Sequence, residues 1–155
     1  MRAEPVLHVV LVAPEIPPNT GNIARLCAAS GCRLHLVEPL GFSLEDRYLK
    51  RAGLDYWPWL DYRQWPDLAT VCREHAGTPM HYFSSRVGRP YTRAPYAVGD
   101  MLVFGNESGG LPERVLRDNA ARTYTIPMWG CVRSLNLSTS VGIVAYEALR
   151  QIKGF

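Results

Sequence analysis

Ile126-Pro127-Met128, followed by Arg133-Ser134-Leu135-Asn136-Leu137-Ser138, joins a strand end, a polar loop and a helix start. Pro127 stops the strand, Gly130 loosens the loop, and Asn136 or Ser138 caps the run from Val141 to Ile152. Backbone N–H groups left unpaired at such a helix start point into the loop, which suits a small ligand better than a plain turn does. Taken alone, the segment is better explained as an ordinary helix cap.

Two more loops follow a buried strand and lead into a helix: Pro14 to Gly21 and Gly105 to Leu111. In parallel sheets that edge is where ligands bind. The run Phe104-Gly105-Asn106-Glu107-Ser108-Gly109-Gly110-Leu111-Pro112 combines glycines, which let a backbone approach closely, with one acidic side chain. It is not a Walker loop, lacking Gly-Lys-Ser/Thr, nor a Gly-x-Gly-x-x-Gly fingerprint. A glycine turn with Pro112 at the first helical position accounts for half of it and leaves Glu107 without a purpose. His8 and His35 sit inside apolar strands as core histidines, and His75 and His81 have no partner in the pattern, so none joins the candidate site.

At 155 residues, 47% hydrophobic and 20% charged, the chain is expected to be one domain, residues 1–155, with no appended RNA-binding domain and no disordered tail. Cys27, Cys32, Cys72 and Cys131 form no Cys-x-x-Cys pair and have no His at finger spacing, so neither zinc nor a disulfide framework is indicated, and reduced thiols in the cytoplasm are expected. No secretory leader is visible, and the apolar run Val6 to Ala13 is too short to span a bilayer, so no membrane partner is expected. The formal charge is +3, and Lys50 and Lys153 are the only lysines, so nearly all positive charge is guanidinium, which matches phosphate through its planar fork. Genome composition explains the same bias, and charge alone names no partner.

The elements that must position these loops alternate. Val6 to Ala13 reads as a central parallel strand. Pro14, Pro17 and Pro18 predict an extended loop, Asn19 and Thr20 offer N-caps for a helix from about Gly21 to Ser30, and Gly31 ends it. Arg33 to Val37 completes a βαβ unit. Ser43 or Leu44 to Ala52 reads as a basic helix with Arg47, Lys50 and Arg51 on one face, a candidate phosphate-contacting surface. Tyr56 to Leu60 reads as an aromatic strand or edge, Trp65 to His75 as a helix, Met80 to Ser84 as a strand and Arg86 to Pro95 as an irregular basic loop. Met101 to Phe104 is a strand, Pro112 to Asn119 a helix, Thr123 to Ile126 a strand and Leu137 to Ile152 the last helix. This alternation gives an α/β domain with a mainly parallel sheet flanked by helices.

Asn19-Thr20-Gly21-Asn22-Ile23-Ala24-Arg25, Phe104 to Leu111, and Ile126-Pro127-Met128 with Arg133 to Ser138 resemble, in order, the three motifs of the SPOUT 2′-O-ribose methyltransferases. Pro14 to Asn22, Glu38-Pro39-Leu40-Gly41-Phe42 and Arg51-Ala52-Gly53-Leu54-Asp55-Tyr56 further resemble the branch that methylates the ribose of tRNA cytidine 34, the TrmL type. The resemblance implies a C-terminal deep trefoil knot holding S-adenosyl-L-methionine, S-adenosyl-L-homocysteine as product, no metal, and a homodimer in which two chains build each working site. The implied substrate is the wobble nucleotide of a tRNA anticodon stem-loop, cytidine 34 or a modified uridine 34. A ribosomal-RNA ribose methyltransferase and a non-catalytic knotted RNA- or nucleotide-binding module remain the alternatives.

By motif position the resemblance assigns Gly105, Ile126 and Ser134 to the cofactor, with Phe83 or Ser84 at the preceding strand end. In physical terms, Gly105 and Gly109 let the main chain approach a flat adenosine, Ile126 packs on adenine, and the Met128 and Leu135 backbones offer polar groups to its edge. Glu107 either supports the sulfonium centre electrostatically or holds the loop by accepting from backbone N–H groups. The resemblance puts forward Arg25 as the residue that activates the 2′-hydroxyl. A guanidinium keeps its proton, so Arg25 reads as an orienter gripping a substrate phosphate that itself takes the proton. Asn19 serves the site or only caps its helix, Arg133 anchors phosphate or ribose, and Tyr146 lines the site, the dimer contact or the core. Trp57, Trp59 and Trp129 could each stack on bases, with core or interface packing favoured for the first two.

Overall fold

The computed structural model describes residues 3–47, 49, 51 and 56–155. Val9 to Leu11 carry apolar side chains on both sides of an extended chain, which is stable only when both faces are covered. This segment forms β1 (His8–Val12), followed by α1 (Pro17–Ser30) and β2 (Arg33–Val37), with β2 parallel to β1 and His35 opposite Val10. The chain continues through β3 (Tyr62–Trp65), α2 (Leu68–Glu74), β4 (Met80–Phe83) and β5 (Arg89–Pro90). It ends with β6 (Met101–Phe104), α3 (Glu113–Asp118), β7 (Thr123–Thr125) and α4 (Leu137–Lys153). The described strands form a seven-stranded sheet in the order β3-β2-β1-β6-β4-β7-β5, and every pairing is parallel.

Alternation along the strands divides the core into two. Leu7, Val9, Leu11, Leu34 and Leu36 face Ile23, Ala24 and Cys27 of α1 and Val141, Val144 and Ala148 of α4. Val10, Val37, Tyr82 and Val103 face Val71 of α2 and Val115 and Leu116 of α3. Helices thus cover both faces of the central strands, whose ends are left open to a ligand. No helix among the described residues is long and apolar enough to cross a membrane.

Several local expectations are corrected. α1 starts at Pro17, not Gly21, because two prolines without N–H groups suit a helix's first turn, and Asn19 lies inside the helix, not at its cap. Trp57–Trp59 is a 3-10 turn, and the strand comes later, at β3. Trp65 ends β3, and α2 waits until Asp67 can cap it, accepting from the Thr70 N–H at 2.7 Å. The basic loop holds β5 and a 3-10 turn at Tyr91–Arg93. Pro112 sits at the N-cap of α3, where its carbonyl accepts from Val115 and Leu116 at 3.0 and 3.2 Å. The expected basic helix falls partly outside the described residues, Lys50 included; Arg47, Leu49 and Arg51 are helical. Trp59 is 78% exposed and packs in no core.

His8 and His35 are core histidines, as expected. Trp65 Nε1–H donates to His35 Nδ1 at 2.9 Å, so the His35 proton sits on Nε2, 2.8 Å from His8 Nδ1. His75 and His81 do have partners: the Val71 carbonyl at 3.1 Å and the Asp100 carboxylate at 2.7 Å. Burial, helped by neighbouring imidazoles and by Arg33 and Arg63, pushes His35 down to about 2 and His8 down to about 4, from 6.5. The unfolded chain therefore takes up more protons below pH 6.5, and the stability these rings contribute, whole above that pH, is lost as pH falls toward 4. Urea titrations should show the unfolding free energy declining by about 1–2 kcal/mol per unit between about pH 6.5 and pH 5. The slope should be shallower in His8→Asn, which keeps an acceptor for His35.

Candidate functional site

All three loops open at the carboxyl edge of the sheet, and side chains tie them together. α1 begins without a side-chain cap of its own. The two residues that lead into it are held by Glu107 from the loop after β6, whose carboxylate accepts from the N–H groups of Glu15 at 2.9 Å and Ile16 at 2.7 Å. A negative charge at that end also complements the helix dipole. Glu15 returns the contact, accepting from the Ser108 N–H at 2.9 Å and the Ser108 hydroxyl at 2.7 Å, and these bonds hold its carboxyl below the usual carboxylate range. Of the two roles open to Glu107, the geometry displays the second: it holds backbone, and the backbone it holds belongs to a different loop.

Asn19 extends the brace to the third loop. Its Nδ2 donates to Glu107 at 3.2 Å, and its Oδ1 accepts from Asn136 Nδ2 at 3.0 Å. Asn136 caps α4, accepting from the N–H groups of Ser138 and Thr139 at 2.9 and 3.3 Å. One buried asparagine therefore connects the start of α1, the glycine loop and the start of α4.

Between these loops lies a cavity of about 580 Å³. Phe83 and Ser84 line it from the end of β4, and Gly105, Glu107 and Gly109 from the glycine loop. Ile126, Met128, Arg133, Ser134 and Leu135 line it from the chain after β7, and Asn19 from α1. The Phe83 and Phe104 rings stack at 4.8 Å. Apolar walls with serines and backbone polar groups at the rim match a flat nucleoside with one polar edge, and the volume falls in the range of small-molecule sites, about 300–1,000 Å³. The residues thus fit the adenosyl part of the implied cofactor.

Two expected residues stand apart from this cavity. Arg25 is exposed on α1, its guanidinium 4.6 Å from the centroid of the Tyr56 ring, and Tyr146 is 45% exposed on α4; neither lines the cavity of its own chain. The reason for glycine at Gly105 also differs from expectation: a Cβ there would overlap the backbone of Gly110 and Leu111, so the loop's own closure demands it. At Gly109 a Cβ would only touch Asn106 Oδ1, at 3.4 Å. Sequence reading missed the Glu15–Ser108 contact and the position of Arg86, which also lines the cavity. Nothing in spacing signals a bond between residues 93 positions apart.

The nitrogens of His8, His35 and His75 lie within 4.8 Å of one another, the spacing of a metal-ligand group. Both His35 nitrogens are already engaged, with Trp65 and with His8, and a cation would have to displace at least one of these bonds. None of the three lines the cavity.

The profile of the SpoU rRNA Methylase family matches residues 6–146. A tRNA (cytidine(34)-2′-O)-methyltransferase of Methylovorus glucosotrophus is 47% identical over 148 residues, 94% of this chain and 96% of the relative. One of the same name from Aeromonas hydrophila is 42% identical over 95% of both chains. A solved structure described as giving insight into 2-OH methylation of C/U34 on tRNA is 50% identical, with a TM-score of 0.92 over 96% of this chain and 97% of that one. The SpoU methyltransferase AviRb of Streptomyces viridochromogenes, solved with AdoMet, is 27% identical with a TM-score of 0.80 over 96% of this chain and 58% of that one. Similarity of this extent, over the loops that build the cavity as over the sheet beneath them, makes the chain a member of the SpoU methylase family.

Proposed function

We infer that this protein transfers a methyl group from S-adenosyl-L-methionine to the ribose 2′-hydroxyl of nucleotide 34, cytidine or uridine, in a tRNA anticodon loop in the cytoplasm. The observation that carries this reading is the convergence of three loops on one nucleoside-sized cavity, in a chain 47% identical to a relative named for that reaction. The two similar relatives bearing the cytidine(34) name and the neighbour concerned with C/U34 favour tRNA over ribosomal RNA.

When bound, S-adenosyl-L-methionine supplies a methyl group on a positively charged sulfur. In the C-terminal crossing, which we take to be a trefoil knot, Phe83, Ser84, Ile126 and Ser134 would hold it, and the Met128 and Leu135 backbones would offer polar groups. Gly105 lets the loop that walls the site close on its own backbone, Gly109 lines the same wall, and Asn19 and Glu107 hold the cleft at its width. A negative carboxylate at the cavity wall also complements a sulfonium. Arg133 grips substrate phosphate or ribose. Arg25 and Tyr146, lying outside the cavity of their own chain, complete the site of a second copy, and so the working unit is a homodimer. Arg25 orients rather than deprotonates, since a guanidinium retains its proton at working pH. Rate then comes chiefly from alignment of the ribose oxygen with the departing sulfur.

Incubation of the protein with unmodified tRNA and S-adenosyl-L-methionine should place one methyl on the ribose of nucleotide 34, read by mass spectrometry of anticodon-loop fragments; methylation confined to ribosomal RNA would refute the tRNA assignment, and cofactor binding without transfer would make the protein a binding module. Arg25→Ala should leave cofactor Kd within about twofold by calorimetry while reducing transfer by about a hundredfold or more. Equal loss of both would reject its role as an orienter. Glu107→Ala strands two backbone donors and one amide; it should cost about 2–4 kcal/mol of stability and weaken cofactor binding, with Glu107→Gln intermediate. A variant with unchanged melting temperature and Kd would show the brace to be dispensable.

A further inference from the structure

Trp129 is 91% exposed, the most open of the large apolar side chains among the described residues, and Val132 on the same loop is 69% exposed. Most tryptophans bury a large part of their surface, so an indole left in water beside a second apolar residue marks a contact surface. We propose that Trp129 is a stacking platform for the nucleobase adjoining the methylated nucleotide, a specificity element that rests on the tRNA methyl-transfer reading above. Met128 and Arg133 both line the cavity, so residues 129–132 form a short arc thrown outward between two cavity residues. An RNA strand that inserts a ribose into the cavity must pass close to this arc.

The charge around the indole fits that strand. Residues 126–136 contain no acidic side chain, Arg133 closes the arc, and Arg86 lines the same cavity. Guanidinium groups beside an exposed aromatic face match a phosphate followed by a base, the pairing by which single-stranded nucleic acid is held without sequence readout. A second copy of the same arc is a poorer occupant, because a symmetric contact would bring Arg133 against Arg133. A Cβ on Gly130 would meet nothing within 4 Å, so no neighbouring segment of the chain covers the loop at that point.

Trp129→Ala and Trp129→Phe would be compared with the unaltered protein on a synthetic anticodon stem-loop, and on versions made abasic at each nucleotide flanking position 34. Trp129→Ala should raise the KM for RNA about tenfold or more, with kcat, cofactor Kd and sedimentation behaviour unchanged, and Trp129→Phe should restore binding to within about threefold. One abasic substrate should weaken the unaltered protein by a similar factor and abolish the difference between it and Trp129→Ala. Equal KM values for all three proteins, an additive loss on both abasic substrates, or dissociation of Trp129→Ala into monomers would each overturn the proposal. Failure of the unaltered protein to methylate the intact stem-loop would instead overturn the reading on which it rests.

Discussion

Three backbone segments far apart in sequence must meet at one point, and the Asn19–Glu107–Asn136 brace is what makes them meet. Its members are separated by 88 and 117 residues, so each bond closes a long stretch of chain. Burial of Asn19 raises the stakes: an amide in the core costs free energy unless its donors and acceptors are engaged, and here both ends are. A carboxylate accepting two backbone N–H groups and an amide is stronger than a neutral bond, each charge-assisted contact contributing about 1.5–3 kcal/mol. Prolines at the start of α1 reinforce the arrangement by removing two donors that would otherwise compete for Glu107.

The sheet prepares this convergence. Parallel pairing sends every strand the same way, so the ends of β1, β4, β6 and β7 fall on one edge, with β6 lying between β1 and β4. Helices on both faces leave that edge as the open side. The cavity is the gap left between loops that the sheet brings near and the brace ties together at a fixed spacing. Gly105 contributes from within, since its missing side chain lets the glycine loop fold against its own backbone at Gly110 and Leu111.

What was legible in the sequence follows the range of the forces involved. The apolar runs of β1, β2, β4 and β6 and the last helix lie where the pattern puts them, because burial on two faces leaves a local signature. The start of α1 was hidden because prolines read as breakers when they were first-turn residues, with the cap supplied by Glu107 from elsewhere in the chain. Strand and turn exchanged places between Tyr56 and Trp65 because β3 is mostly exposed and carries no apolar alternation. Three loops with glycine, asparagine and acid could be named as site-forming from residue type and motif resemblance. That Asn19 and Glu107 bond each other, and that His35 receives a tryptophan N–H, are facts of tertiary contact with no local trace.

The site also divides its tasks between rigid and open parts. The cavity is braced, walled by aromatic and branched side chains and closed by hydrogen bonds within one chain. The surface around it has the opposite character: Arg133 and Trp129 stand in solvent, Arg25 rests on the Tyr56 ring outside the cavity, and Tyr146 faces outward from α4. A small, constant ligand rewards a preformed cleft, because no ordering cost recurs at each turnover. A large polyanion is better met by exposed guanidinium and aromatic groups that adapt to its backbone. On the proposed reading, the chain keeps one geometry for methyl donation and leaves RNA selection to its rim, apart from the brace beneath.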